Sequence, residues 1–80
     1  MKNFSQTTYH YTAFFDRNEL GGYTVTVPAL PGLVTEGKGL DDARLMAEDA
    51  IRCYIAGLKK AKEEVPMERE MAQVRLSVRG

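Results

Sequence analysis

Apolar residues recur with a period of two in three stretches of the chain and with the period of a helix in one, and polar or Gly/Pro-rich joints separate them. Tyr9, Tyr11, Ala13 and Phe15 alternate with His10, Thr12 and Phe14, the pattern of a first strand with its odd positions inward. Asp16-Arg17-Asn18-Glu19 reads as a charged loop, and Gly21-Gly22 as a hairpin turn. Tyr23, Val25 and Val27 then alternate with Thr24 and Thr26 in a second strand that ends at Pro28. Pro28 and Pro31 fix φ on either side of Leu30, and Gly32 can adopt the left-handed backbone of a tight turn, so Leu30 is expected to plug the end of a core. Leu33 to Lys38 is a short third strand. Met1 to Thr7 are polar and unpatterned, which predicts a frayed start.

From Leu40 to about Glu63, apolar residues at 43, 46, 47, 50, 51, 54, 55 and 58 trace one helical face. Charge is graded along this helix. Asp41, Asp42, Glu48 and Asp49 crowd its first half and Arg52, Lys59, Lys60 and Lys62 its second, which complements the macrodipole at both ends. Val65-Pro66 stops the helix. Ala72, Val74, Leu76 and Val78 then alternate with Gln73, Arg75, Ser77 and Arg79 as a final strand.

The predicted order is β-β-β-α-β, a single α+β domain over residues 1–80. A meander followed by a crossover helix places the last strand parallel to the first and beside it, giving the sheet order 3-2-1-4. One helix covers one face of such a sheet. The other face, with His10, Thr12, Phe14, Thr24, Thr26, Gln73, Arg75 and Ser77, is expected to stay open.

Composition narrows the partners. Eleven acidic and eleven basic residues cancel, so no global field draws in nucleic acid or an anionic membrane. Cys53 stands alone, which rules out an internal disulfide, and neither a signal peptide nor a long apolar span is visible. A soluble cytoplasmic protein is expected. A chain of 80 residues buries only about 60–65% of its extended surface, so self-association as a dimer or tetramer is expected as well. Phe14 on the open face, Arg75 and Arg79 beside it, and Gly57 in the helix, where glycine suggests a close backbone approach, are the candidate contacts.

Catalytic chemistry is thinly represented. A divalent-metal site would have to draw on Asp16, Glu48 and Asp49, and the last strand supplies no carboxylate to complete it. Cys53, read as a small buried thiol, and His10, on the polar strand face, do not form a nucleophilic pair. Lys59, Lys60 and Lys62 read as a solvated helix end rather than a phosphate site. No catalytic residue, metal or cofactor is therefore assigned.

Residues 9 to 66 resemble the HicB-like antitoxin family of bacterial toxin–antitoxin pairs. The resemblance rests on Gly21-Gly22-Tyr23, on Val25 to Gly32 with its Pro28-Ala29-Leu30-Pro31-Gly32 core, on Glu36-Gly37, on Leu40-Asp41-Asp42-Ala43, on Ala47 and Ala50-Ile51, and on Val65-Pro66. Gly39 stands where the family usually has a capping Thr. Within the motif, Gly22, Tyr23, Pro28, Leu30, Pro31, Gly32 and Gly37 read as fold-determining. The resemblance implies a partial ribonuclease-H-like fold and a non-catalytic protein that neutralises a HicA-type, mRNA-cleaving toxin by covering it. Asp16, Glu19, Glu36, Asp41 and Asp42 are the acidic residues that would suit a basic, RNA-binding partner. Family members usually continue into a DNA-binding module, whereas this chain stops at Gly80, so direct DNA binding is not expected. A metal-dependent ribonuclease-H-like enzyme and an oligomeric small-ligand-binding domain are the alternatives.

Overall fold

The computed structural model describes residues 7–80; the frayed start expected for residues 1–7 lies outside it except for Thr7. It contains β1 (Phe14–Arg17), β2 (Tyr23–Thr26), β3 (Val34–Gly37) and α1 (Leu40–Lys60). The strands form one antiparallel sheet in the order β1-β2-β3, and α1 packs on one face of it. The chain is thus α+β, with three antiparallel strands and one helix.

Each joint has a local cause. Asn18 organises the first hairpin, because its Oδ1 accepts the backbone N–H groups of Leu20 and Gly22 at 3.1 and 3.0 Å. Its own N–H donates to the Gly22 carbonyl at 2.9 Å. An asparagine side chain can stand in for backbone in this way, and Gly21 absorbs the left-handed turn at φ 87°. After β2 the chain makes two successive turns, Leu30 N–H to Val27 O and Leu33 N–H to Leu30 O. In the second, Pro31 sets φ at the first central position and Gly32 sits at φ 84° in the next, the type II arrangement.

These turns carry Leu30 inward. Val27, Leu30 and Leu33 form one buried cluster, bordered by Tyr11, Ala13, Ala50, Ile51 and Tyr54. Val25, Ala43 and Ala47 form the other, bordered by Ala13, Phe15 and Tyr23. Of the predicted apolar helix face, Ala43 and Ala47 are buried, Ala50, Ile51, Tyr54, Ile55 and Leu58 are half-buried, and Met46 is exposed. Cys53 is exposed as well, not buried as the sequence suggested. Its place on the helix falls outside the stripe centred on Ala43, Ala47 and Ala50.

Glycine is required at two contacts. A Cβ on Gly37 would lie 2.4 Å from the backbone of Ala43, and one on Gly22 would lie 2.2 Å from the Gly37 carbonyl oxygen. Gly37 lets the sheet end meet the start of α1, and Gly22 lets the hairpin close against the end of β3. The start of α1 has no side-chain cap on Gly39; instead the Asp42 carboxylate in the first turn reaches back past the cap and accepts the Lys38 N–H at 2.8 Å. The other end closes as a Schellman motif, with Lys62 N–H on Lys59 O and Glu63 N–H on Leu58 O. Lys62 occupies the left-handed position at φ 58°.

The last quarter of the chain departs from expectation. Residues 72–79 pair with no strand, so the fourth strand and the order 3-2-1-4 are not formed within the chain. The segment before them does come back to the residues just ahead of β1, which starts at Phe14 and not at Tyr9 as the alternation suggested. Tyr11 Oη donates to the Pro66 carbonyl at 2.6 Å, and the Thr12 N–H and hydroxyl both donate to the Glu68 carboxylate. These anchors are side-chain bonds and set no strand register. Beyond them the chain is exposed to its end. The molecule measures 62 × 28 × 24 Å, with a radius of gyration of 15.8 Å. A compact domain of this length has a radius of about 12 Å.

Candidate functional site

The pleat decides which side chains the helix covers. Phe15, Tyr23 and Val25 pack toward Ala43 and Ala47, so their neighbours along each strand point to the opposite face. Register aligns those neighbours in two rows across the sheet. Phe14, Thr26 and Val34 make one, and Asp16, Thr24 and Glu36 the other.

The second row places two carboxylates on the uncovered face, two strand spacings or about 10 Å apart. β1 and β3 run in the same direction, so Asp16 and Glu36 lie toward the same end of the sheet. Glu19 in the hairpin and Asp41 and Asp42 at the start of α1 belong to that end too. All five predicted acids are exposed and lie toward that end, Asp16 and Glu36 on the open face and Asp41 and Asp42 on the helix. Arg17 is held back from the group, because its guanidinium lies 5.4 Å from the centre of the Tyr23 ring. Asp42 has a structural duty as well, in the bond to Lys38. Beside these acids opens a groove of about 410 Å³, lined by Asn18, Leu20, Glu36, Lys38, Asp42 and Met46 among others.

The far end of α1 carries the opposite charge in Lys59, Lys60 and Lys62. Lys59 is partly occupied there, with its ammonium 5.6 Å from the centre of the Tyr9 ring. The surface ion pairs Arg44 to Glu48 and Asp49 to Arg52, at 3.7 and 3.9 Å, are exposed helix pairs of small energetic weight.

The predicted contact residues fare differently. Phe14 is half-buried rather than open, because Thr12, Met71, Ala72 and Gln73 border a groove of about 200 Å³ beside it. Arg75 and Arg79 do not join it; they project from the exposed terminal segment. A Cβ at Gly57 would meet nothing within 4 Å, so no close approach is made there within the chain.

Asp16 does not converge with Glu48 and Asp49. It faces away from the helix that bears them, and both helix acids stand near arginines. Among the described residues no three His, Cys, Asp or Glu side chains are grouped to hold a metal ion. Sequence reasoning missed Asn18 and Glu68. An asparagine shortly before Gly-Gly was a legible hairpin signal, whereas nothing in the pattern marked Glu68. Burial raises the Tyr11 phenol above its ordinary value, and the nearby Tyr9 and Glu68 push in the same direction.

A small α+β domain with one helix on one face of a three-stranded antiparallel sheet, and five of its eleven acidic residues toward one end, is the class of protein these features define. The profile of the HicB-like antitoxins of bacterial toxin–antitoxin systems matches residues 11–78, and the chain belongs to that family. A UPF0150 protein of Thermoplasma acidophilum is 46% identical over 56 residues, covering 70% of this chain and 81% of the relative. A UPF0150 protein of Archaeoglobus fulgidus is 32% identical over 53 residues, 66% of this chain and 77% of its own length. An uncharacterised 14.9 kDa protein of Haemophilus phage HP1 is 38% identical over 52 residues, but the match spans only 39% of that longer protein. No solved structure matches. No helix among the described residues is long and apolar enough to cross a membrane.

Proposed function

We propose that this chain is a non-catalytic antitoxin that neutralises a HicA-type, mRNA-cleaving toxin by direct association in the cytoplasm. The observation that carries the reading is the gathering of Asp16, Glu19, Glu36, Asp41 and Asp42 at one end of a sheet whose face the helix leaves open. A toxin that grips RNA must present basic residues, and an acidic surface both steers it in and competes for the same groups. Family membership supports the role, and Asp16 does not meet Glu48 and Asp49, the carboxylates a metal-dependent nuclease would need together, which favours binding over hydrolysis. Self-association into a dimer or tetramer belongs to the same reading, since the domain leaves sheet edges and apolar side chains exposed. The partial ribonuclease-H-like topology is then completed between chains.

The test is co-expression with the protein encoded by the adjacent gene. Growth is expected to be rescued by the native chain and at least tenfold less efficiently by Asp16→Asn/Glu36→Gln, whose folding circular dichroism would verify. Full rescue by the double variant would remove the acidic end from the interface. No rescue by the native chain would remove the antitoxin reading.

A further inference from the structure

Residues 72–79 carry the alternation of a strand with nothing to pair against. Val74, Leu76 and Val78 are 69%, 79% and 88% exposed, on a segment with Gln73, Arg75, Ser77 and Arg79 between them. A period-two apolar run is what a half-buried strand requires, and exposing it to water gains nothing. The sheet meanwhile has an unpaired edge along β1, since β1 pairs only with β2. The chain therefore holds both a strand without a sheet and a sheet edge without a strand.

We propose that residues 72–79 of one copy add as a fourth strand to the β1 edge of a second copy, with reciprocal exchange between the two chains. This rests on the self-association reading above and goes beyond it by naming the strand and the edge. Three observations select a second copy as the occupant. The anchors at Tyr11 and Thr12 place the base of the arm beside the residues that lead into its own β1, yet from Val74 on the arm is exposed to its end. Seven residues, 74–80, reach up to about 23 Å, enough to cross onto a neighbour. Charge is complementary as well: from Met71 to Gly80 the arm carries Arg75 and Arg79 and no acid, while the β1 edge and its hairpin offer Asp16 and Glu19. On such an edge Val74, Leu76 and Val78 would continue the helix-side row of Ala13 and Phe15, and the arginines would fall on the acidic face. A second copy also presents the same edge and arm in return, which closes a twofold pair and leaves no β1 edge to propagate.

The experiment uses the full chain with Cys53→Ser. Isotope-labelled copies carrying Ser77→Cys are mixed with unlabelled copies carrying Thr24→Cys, on the strand beside β1, and joined with a short bismaleimide. A labelled-to-unlabelled product at twice the chain mass is expected to dominate and to fall at least tenfold when Leu76→Asp is added to the labelled copy. Light scattering that gives a monomer at every concentration would overturn self-association and exchange together. A dimer without the mixed cross-link would overturn the exchange alone. So would a Thr24→Cys/Ser77→Cys chain that closes within itself as a monomer.

Discussion

Residues 23–27 and residues 74–78 have nearly the same sequence character, three apolar residues alternating with two polar ones, and opposite fates. Val25 and Val27 are 0% and 2% exposed, whereas Val74, Leu76 and Val78 are left in water. The first run becomes a strand because its joints are built locally. Asn18 and Gly21 close the hairpin on one side, and two proline-led turns close the other within seven residues. The second run has only the Pro66 and Glu68 anchors, bonds to two residues ahead of β1 that set no ladder register. Alternation gives a segment the capacity to be a strand; a register-setting joint or a partner edge makes it one.

Leu30→Ala breaks the comparison most severely. Leu30 is fully buried and is delivered by both turns, so its truncation leaves a cavity against Val27, Leu33 and Tyr54. The expected cost is about 4 kcal/mol, read from urea unfolding, within the usual range for a buried leucine. A domain of this size has about 4–12 kcal/mol in all, so the variant should lose at least about a third of its stability and melt at a clearly lower temperature. Leu76→Ala supplies the contrast. In dilute solution it should change stability by no more than about 0.5 kcal/mol, as at other exposed sites. At concentrations where chains associate, it should lower the melting temperature, because the lost contact lies between copies. Equal effects of the two variants in dilute solution would contradict the burial difference.

How legible each region was follows from the same distinction. The hairpin, the Pro/Gly corner and α1 could be read because their signals are local: Gly-Gly, Pro-x-Leu-Pro-Gly, and acids before bases on a 3.6 period. The five acids were legible as a group only through family resemblance, and their convergence needed the sheet register that pairs Asp16 with Thr24 and Thr24 with Glu36. Gly37 was visible as part of a motif, but its cause, backbone contact with Ala43, was not. The fourth strand was misplaced because periodicity is silent about which edge a strand will find. Phe14 followed from that error, since the returning segment at Met71 to Gln73 shields it.

The anchors at the base of the arm are a milder point of attack. The Tyr11 hydroxyl donates to Pro66, which only a protonated phenol can do. Its pKa is raised above 10.0 chiefly by burial, so the folded chain keeps this proton at a pH where the unfolded chain has lost it. The stability it contributes is therefore fully present below about pH 10 and is lost as pH climbs through the folded value. Absorbance titration should show a tyrosine phase raised above the ordinary phenol value, and Tyr11→Phe should abolish that phase. The same variant should cost about 1 kcal/mol, a typical hydrogen bond, and speed proteolysis between Glu63 and Gln73 while sparing the body. Unchanged proteolysis would mean that Glu68 alone holds the segment.

A small gain is expected at the hinge between the two regions. Lys62 holds the left-handed position of the Schellman motif at φ 58°, where most helices ending this way place glycine, and its side chain is exposed. A Cβ in this conformation costs about 1 kcal/mol. Lys62→Gly should thus stabilise the folded chain by somewhat less than that, because glycine also gives the unfolded chain more freedom to lose. The gain should appear in urea unfolding with no change in the slope. The position also tests how the two regions are joined. If the arm acts within a reciprocal pair, tightening the turn at the end of α1 should raise the melting temperature without altering the fraction of cross-linked dimer. A shift in that fraction would place the conformational control of the arm at residue 62, before the Tyr11 and Thr12 anchors are reached.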